Sequence, residues 1–238
     1  MKVLRSGGEY LEAREWWSWT ALSLVGLALL ITAMVGLSVG GWPVAIAAGA
    51  LVLAAAKGVV AKIIRRLRAT RKGRLGEGLT SQLVARLPDD YYLINDVAAQ
   101  HGNIDHVVVG PCGILVIETK RVAGEIACDG DRWSVKGRPV RSWSKQAKAG
   151  AVAVKTLLRT RCEELREEYV KAAVVLVDPR CRVKVNRATV AVVRFSELLP
   201  LIMSLGSTLR IQPALVRLAA SALSGNRPTS LVRARTSL

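Results

Sequence analysis

The stretch Ile104-Asp105-His106-Val107-Val108-Val109-Gly110-Pro111-Cys112-Gly113-Ile114-Leu115-Val116-Ile117-Glu118-Thr119-Lys120 decides how the chain is read. Two runs of β-branched and aliphatic residues flank Gly-Pro-Cys-Gly, the pattern of two strands joined by a tight loop. Side chains alternate faces along a strand, so Glu118 and Lys120 project to one side. A symmetric loop over 110–113 pairs Val109 with Ile114, Val107 with Val116 and Asp105 with Glu118. Opposed Cβ atoms in such a ladder stand about 4.5–5.5 Å apart, and like charges there repel. Apolar surroundings add a desolvation cost to both anions. A shared proton would relieve that cost, and so would a hard divalent cation, which takes carboxylate oxygens. Lys120, on the same face, fits beside a phosphate or an attacking water. Two carboxylates and a lysine suit phosphodiester hydrolysis, the cation activating water and the ammonium steadying the developing charge. On spacing alone another reading stands: Asp105 and Glu118 are solvated strand-end charges and Lys120 is their surface partner. A slip of one residue in the loop would also turn Asp105 to the opposite face.

Around this hairpin the pattern is mixed. Leu75 to Leu87 predicts a short helix stopped by Pro88, and Tyr91 to Val97 a strand. Short strands are expected at Gly124–Cys128 and Trp133–Val135, around the turn Asp129-Gly130-Asp131. An alanine-rich helix is expected from Ser144 to about Tyr169, broken near Arg161. Strands follow at Ala172–Val177 and Thr189–Val193, and Ser196-Glu197 caps a last helical stretch that leads into a basic tail. Helices flanking a mixed sheet define an α/β fold.

The N-terminal quarter has a different character. No ionisable side chain occurs from Trp16 to Val39, and after Gly40-Gly41-Trp42-Pro43 a second apolar run, Val44 to Val60, holds only Lys57. A membrane-spanning helix needs about 20 apolar residues, and neither run shows the polar stripe of a helix packed in a soluble core. A secretory signal would have an apolar region of roughly 7–15 residues; here the first run is longer and a second follows. The expectation is a transmembrane helical hairpin over 16–61. It is preceded by an N-terminal cytoplasmic segment, 1–15, and followed by a basic juxtamembrane linker, 62–74, a soluble domain, 75–204, and a C-terminal helix with its basic tail, 205–238. Between Lys57 and Arg74 lie eight Lys and Arg and no acid. Positive flanks stay on the cytoplasmic side, so the soluble domain is expected to face the cytoplasm from the plasma membrane. Lys62, Arg65, Arg66 and Arg68 are the candidates for anionic lipid head groups.

Composition narrows the function classes. The 238 residues are 51% hydrophobic, which excludes a disordered chain, and carry a formal net charge of +17. Residues 75–238 alone hold 24 Lys and Arg against 15 Asp and Glu, a balance that points to a polyanionic partner. Arg121, Arg141, Lys145 and Lys148 are the candidate nucleic-acid contacts. Cys112, Cys128, Cys162 and Cys181 form no C-x-x-C pair and read as buried thiols. The absence of G-x-x-x-x-G-K-[ST] excludes a P-loop motor. His106 projects away from Asp105 and reads as a packed core residue; His101 reads as a solvated turn residue.

Gly73-x-x-Gly76-Glu77, Asn95-Asp96-Val97, Ile104-Asp105-His106-Val107-Val108-Val109, Ile117-Glu118-Thr119-Lys120, Trp133 and Gln146 resemble, in order and spacing, the NERD (nuclease-related) domain. That family is similar to the PD-(D/E)xK nucleases with their restriction-endonuclease-like core. The resemblance covers roughly 73–180. It implies that Asp105 and Glu118 hold Mg2+ or Mn2+ and that Lys120 is the catalytic lysine. By the same likeness Glu77 is an auxiliary acid and Gln146 orients water or phosphate. It also implies a nucleic-acid substrate, DNA foremost, and a homodimer as a candidate assembly, since the superfamily often dimerises. Where the family often has Asn-Pro before the glutamine, this chain has Ser142-Trp143-Ser144-Lys145, and the segment before Ile104 is compact. Two functions follow from different classes. One is a membrane-anchored metal-dependent nuclease; the other is a non-catalytic module of the same fold that holds nucleic acid or a partner at the membrane.

Overall fold

The computed structural model describes residues 1–5, 9–99, 102–209 and 211–225; His101 and the basic tail beyond residue 225 lie outside them. The chain divides into two units, one of residues 1–7 with 75–238 and the other of residues 8–74. Strand β1 is Lys2–Arg5 and helix α1 runs Glu9–Val84, with backbone at φ 70° and ψ −164° at Gly41 and with Pro43 two residues on. Then come strands β2 (Tyr92–Ala99), β3 (Gly102–Gly110), β4 (Gly113–Lys120), β5 (Gly124–Asp129), β6 (Arg132–Val135) and β7 (Arg138–Val140). Helix α2 (Trp143–Arg161) follows, then β8 (Val170–Leu176), β9 (Cys181–Asn186), β10 (Ala191–Arg194) and helices α3 (Leu198–Leu209) and α4 (Pro213–Ser224).

Six strands form a mixed sheet in the order β1-β2-β3-β4-β8-β10, and four form a second sheet in the order β7-β6-β5-β9. The first sheet is covered on both faces, as an α/β core must be. Val107, Val109, Ile114 and Val116 face Ala151, Val154 and Leu158 of α2 and Val216 and Ala219 of α4. The opposite face, with Leu93, Val108, Leu115 and Ile117, packs on Val84, Leu198 and Ile202. The inner side of the second sheet, with Ile126, Cys128 and Trp133, closes over Trp143 and Ala147 of α2 and over Val174 and Leu176 of β8.

Strands β1, β7 and β9 were not expected. Lys2–Arg5 adds a parallel edge strand to β2, with Lys2 opposite Tyr92 and Val3 opposite Leu93; four residues next to an apolar helix give no periodic signal of their own. Cys181–Asn186 pairs in parallel with β5, although its alternating Arg182 and Lys184 look like loop chemistry. Helix α3 also runs across residues 204 and 205, where a boundary was expected. The four cysteines are buried free thiols.

His106 shows how the fold treats a buried titratable group. Its Nδ1 lies 2.7 Å from Asn95 Oδ1, whose own amide nitrogen donates to Ser81 Oγ at 3.0 Å. Nδ1 therefore carries the proton, and the buried Nε2 is left without a partner. Burial pushes the imidazole down to about 4. A histidine with a depressed folded pKa contributes stability that is present above its unfolded value, near 6.5, and is lost as pH falls toward 4. We expect wild type to lose about 3 kcal/mol relative to His106→Gln over that interval. Urea unfolding of both proteins in neutral detergent at pH 7 and pH 4.5 checks this; parallel pH profiles would contradict it.

Candidate active site

The β3–β4 ladder pairs Gly110 with Gly113, Val109 with Ile114, Val107 with Val116 and His106 with Ile117. Gly113 sits at φ 87°, a left-handed position that glycine fills without a Cβ penalty after a Pro-Cys turn. The next step of this register brings Asp105 opposite Glu118. There the backbone ladder gives way to a side chain, because the Thr119 N–H donates to Asp105 Oδ2 at 2.8 Å. Lys120 Nζ donates to Glu118 Oε1 and also to Gln146 Oε1, the latter at 3.3 Å. β3, β4 and the first turn of α2 thus bring Asp105, Glu118, Lys120 and Gln146 together on the α2 face of the sheet.

The electrostatics follow from burial. Glu118 is only 4% exposed, and burial raises its carboxyl above the usual range; Lys120 and Arg141 offset this, while Glu77 adds to it. Asp105 is pushed up to about 7, first by burial and then by the charge of Glu118, against the opposing pull of Lys120 and the Thr119 N–H. Two carboxylates that resist ionising side by side are the donor set a hard cation needs, since magnesium is commonly held by one or two protein carboxylates plus substrate oxygens. Asp105 and Glu118 fit that role. No cluster of three or more His, Cys, Asp and Glu at ligand spacing occurs among the described residues, so the pair would be the core of the site.

Glu77 reaches the same region from the end of α1. A Cβ on Gly76 would come within 3.1 Å of Arg121 Cβ and 3.4 Å of Thr119 Cγ2, so the helix approaches the end of β4 closely at Gly76, one residue before Glu77. One turn on, the buried Thr80 receives a hydrogen bond from Thr119 at 3.2 Å. These contacts give Gly73-x-x-Gly76-Glu77 a physical reading: the glycine allows contact and the acid is carried to the site's edge.

Gln146 is held from behind. Ser142 caps α2 by accepting from the Lys145 N–H at 3.2 Å. The buried Ser144 accepts from Trp133 Nε1 at 3.0 Å and donates to Asp131 Oδ1 at 2.6 Å. Lys148 Nζ and Thr189 Oγ1 close on the same carboxylate, at 2.7 and 2.5 Å, and these hydrogen bonds, that of Lys148 foremost, hold Asp131 well below the usual carboxylate range. The serines that stand in for Asn-Pro therefore anchor the helix that presents Gln146. Trp133 and Trp143, ring centroids 4.7 Å apart, pack beneath. Lys148 is engaged by Asp131; Arg141 and Lys145 are exposed at the start of α2, and Arg121 is partly buried just past Lys120.

Asp96 is the residue that sequence reasoning left without a role. β2 pairs Asn95 with His106 and Val97 with Ile104, which sets Asp96 beside Asp105, and its charge adds to the rise of the Asp105 carboxyl. Its backbone is left-handed, at φ 56°, and its Oδ1 accepts from Asn103 Nδ2 at 2.5 Å. The signal was present in Asn95-Asp96-Val97, but the register that carries it to Asp105 depends on pairing between strands.

Residues 72–177 match the family model described as the nuclease-related domain, NERD. Those residues, somewhat under half of the chain, are thus similar to a nuclease-related domain, and all of the site residues above except Thr189 lie within them. An uncharacterized Bacillus anthracis protein, pXO1-01, is 36% identical over 61 residues, which is 23% of this chain and 29% of that protein. The chain thus spans less than a third of that relative's length. No solved structure matches it.

Proposed function

We propose that the chain is a membrane-anchored, divalent-cation-dependent nuclease that hydrolyses phosphodiester bonds, with DNA as its substrate. The observation that carries this reading is the placement of Asp105 and Glu118 on adjoining strands with Lys120 bridging Glu118 and Gln146. A divalent cation held by the two carboxylates would polarise the scissile phosphate and lower the pKa of an attacking water. Lys120, freed from Glu118 once that carboxylate is otherwise compensated, would stand beside the phosphate and stabilise its developing charge. Gln146 would fix the Lys120 ammonium and orient water through its amide. Glu77, at the rim, would accept a hydrogen bond from an incoming water. Arg121, Arg141 and Lys145 would hold the flanking phosphates.

The assay uses the full chain in neutral detergent, since a fragment starting near residue 70 would lack the β1 edge. Supercoiled and linear DNA are incubated with Mg2+ or Mn2+. We expect both ions to support cleavage and excess chelator to stop it. Tight DNA binding with no cleavage under either ion would favour the non-catalytic module instead.

The membrane part of the proposal rests on α1. Trp19–Ala54 holds no charged residue, and only 6% of its most apolar 18-residue window is buried. As one helix these 36 residues would measure about 54 Å, against a hydrocarbon core of about 30 Å. The break at Gly41 divides them, and a Cβ on Gly36 would stand 2.5 Å from Ala45 Cα, far closer than the roughly 13 Å axial separation of residues nine apart in one helix. Connectivity gives independent support: residues 1–7 and 75–238 belong to one unit, so a segment that leaves it and returns must cross a bilayer an even number of times. The eight cations of Lys57–Arg74 favour a cytoplasmic location for that unit at the plasma membrane. A cysteine at Trp42 should react with an impermeant maleimide from outside intact cells, and one at Ala69 only after lysis; the reverse pattern would refute the topology.

A further inference from the structure

The soluble domain's positive charge is concentrated in one lobe. Residues 121–148 and 178–190, which make the second sheet and its joints, hold 11 Lys and Arg against 4 Asp and Glu; the rest of 75–238 holds 13 against 11. Three of the four acids are already engaged: Asp129 by Arg132 and Arg187, Asp131 by Lys148 and Asp178 by Arg180. Among the described residues, no ion pair occupies the remaining seven cations.

The lobe's attachment points give its charge a direction. The chain enters it directly from Lys120, through a three-residue link to β5, and leaves β7 directly into α2 and Gln146. Its inner face is spent on the core, and its outer face exposes Glu125 and Ala127 of β5, with Glu125 opposite Arg182. The pairings Lys184 with Ala127, Ala127 with Ser134 and Ser134 with Pro139 run across four strands as one row of small side chains with an ammonium at its edge. Arg182 lies two residues before Lys184 on the same side of β9, and both are exposed. Lys136 and Arg138 are exposed at the β6–β7 turn, Lys136 over Gly124 and Arg138 opposite Val135.

We infer that the outer face of the β7-β6-β5-β9 sheet is a docking surface for the phosphate backbone of a nucleic acid, which it delivers to Lys120 and Gln146. Small side chains let the backbone lie close, and point charges on the β9 edge and at the β6–β7 turn neutralise phosphates without reading bases. Anionic lipid head groups present similar charge, but the lobe is rooted at the hydrolytic residues, which a lipid surface would not require. The inference rests on the nuclease reading for its location, and its test is independent of cleavage.

The test measures binding of a fluorescent 20-base-pair duplex to the full chain in neutral detergent, with chelator present, across a salt series. R182Q/K184Q and K136Q/R138Q are each expected to weaken binding about 10-fold at low salt. Each should also lower the slope of log affinity against log salt by about 2, near 0.9 per lost phosphate contact. R86Q/K155Q, outside the lobe, should match wild type. Affinity and slope unchanged in both lobe variants would overturn the inference. So would loss of binding to vesicles of anionic lipid with duplex binding intact. A chain that binds duplex through the lobe and never cleaves it would overturn the nuclease reading and leave this surface standing.

Discussion

Asp105→Asn is expected to abolish metal-dependent cleavage and at the same time to stabilise the metal-free protein at pH 8. The activity loss should be at least about 10³-fold, since half of the cation's protein donor set loses its charge. The gain in stability follows from linkage. Asp105 is pushed up to about 7 from its ordinary carboxylate value of 3.8. Between those values the folded protein binds a proton that the unfolded chain does not, so stability falls as pH rises through the window, and the full cost is present above it. A shift of that size corresponds to about 4 kcal/mol at most, and asparagine escapes it. Thermal melts should therefore show Asp105→Asn above wild type at pH 8, with the gap closing toward pH 4. Mg2+ should raise the wild-type melting temperature more at pH 8 than at pH 5.5, because protons and cation compete for one carboxylate, and should leave the variant unmoved. A variant less stable than wild type at pH 8 would show that the Asp105 hydrogen bond to Thr119 outweighs the charge repulsion.

Lys120→Met is expected to abolish cleavage to a similar degree, about 10³-fold, but with the opposite effect on the fold. Lys120 is the counter-charge of Glu118, whose side chain is 6% exposed against 21% for the lysine. Removing one partner of a buried pair strands the other, so the metal-free variant should lose on the order of 2 kcal/mol at pH 8. Mg2+ should recover part of that loss while restoring no activity. The contrast in sign between the two variants is the useful feature: both stop the reaction, one relieves the site's strain and the other worsens it. A surface lysine with no role would leave both stability and cleavage near wild type.

Much of this arrangement is legible in the sequence. Alternation along 104–109 and 114–120 and a symmetric Gly-Pro-Cys-Gly loop lead to the register observed, Val109 with Ile114 and onward by twos; the one-residue slip that the sequence left open does not occur. The face assignments of His106 and Lys120 came from the same rule. What escaped depends on contacts distant in sequence. β1 is four residues whose only evidence is its partner, β2. Asp96 becomes relevant only when β2 pairs with β3 in a particular register. Asp131 read as a turn residue, yet its carboxylate joins Ser144, Lys148 and Thr189 across 13 to 58 residues of chain. The substitution of Ser142-Trp143-Ser144 for a family Asn-Pro looked like a departure in sequence; in space it is a helix cap and an anchor for the glutamine. Local pattern fixes faces and turns, whereas support for a site is assembled from elements that no short window contains.

The most direct measurement is a crystal of the full chain grown with Mn2+, with data collected at the manganese absorption edge. One anomalous peak is expected, coordinated by carboxylate oxygens of both Asp105 and Glu118 at about 2.0–2.3 Å, with Lys120 Nζ moved off Glu118. Saturating Mn2+ with no peak between those two carboxylates, and Lys120 still paired with Glu118, would contradict it.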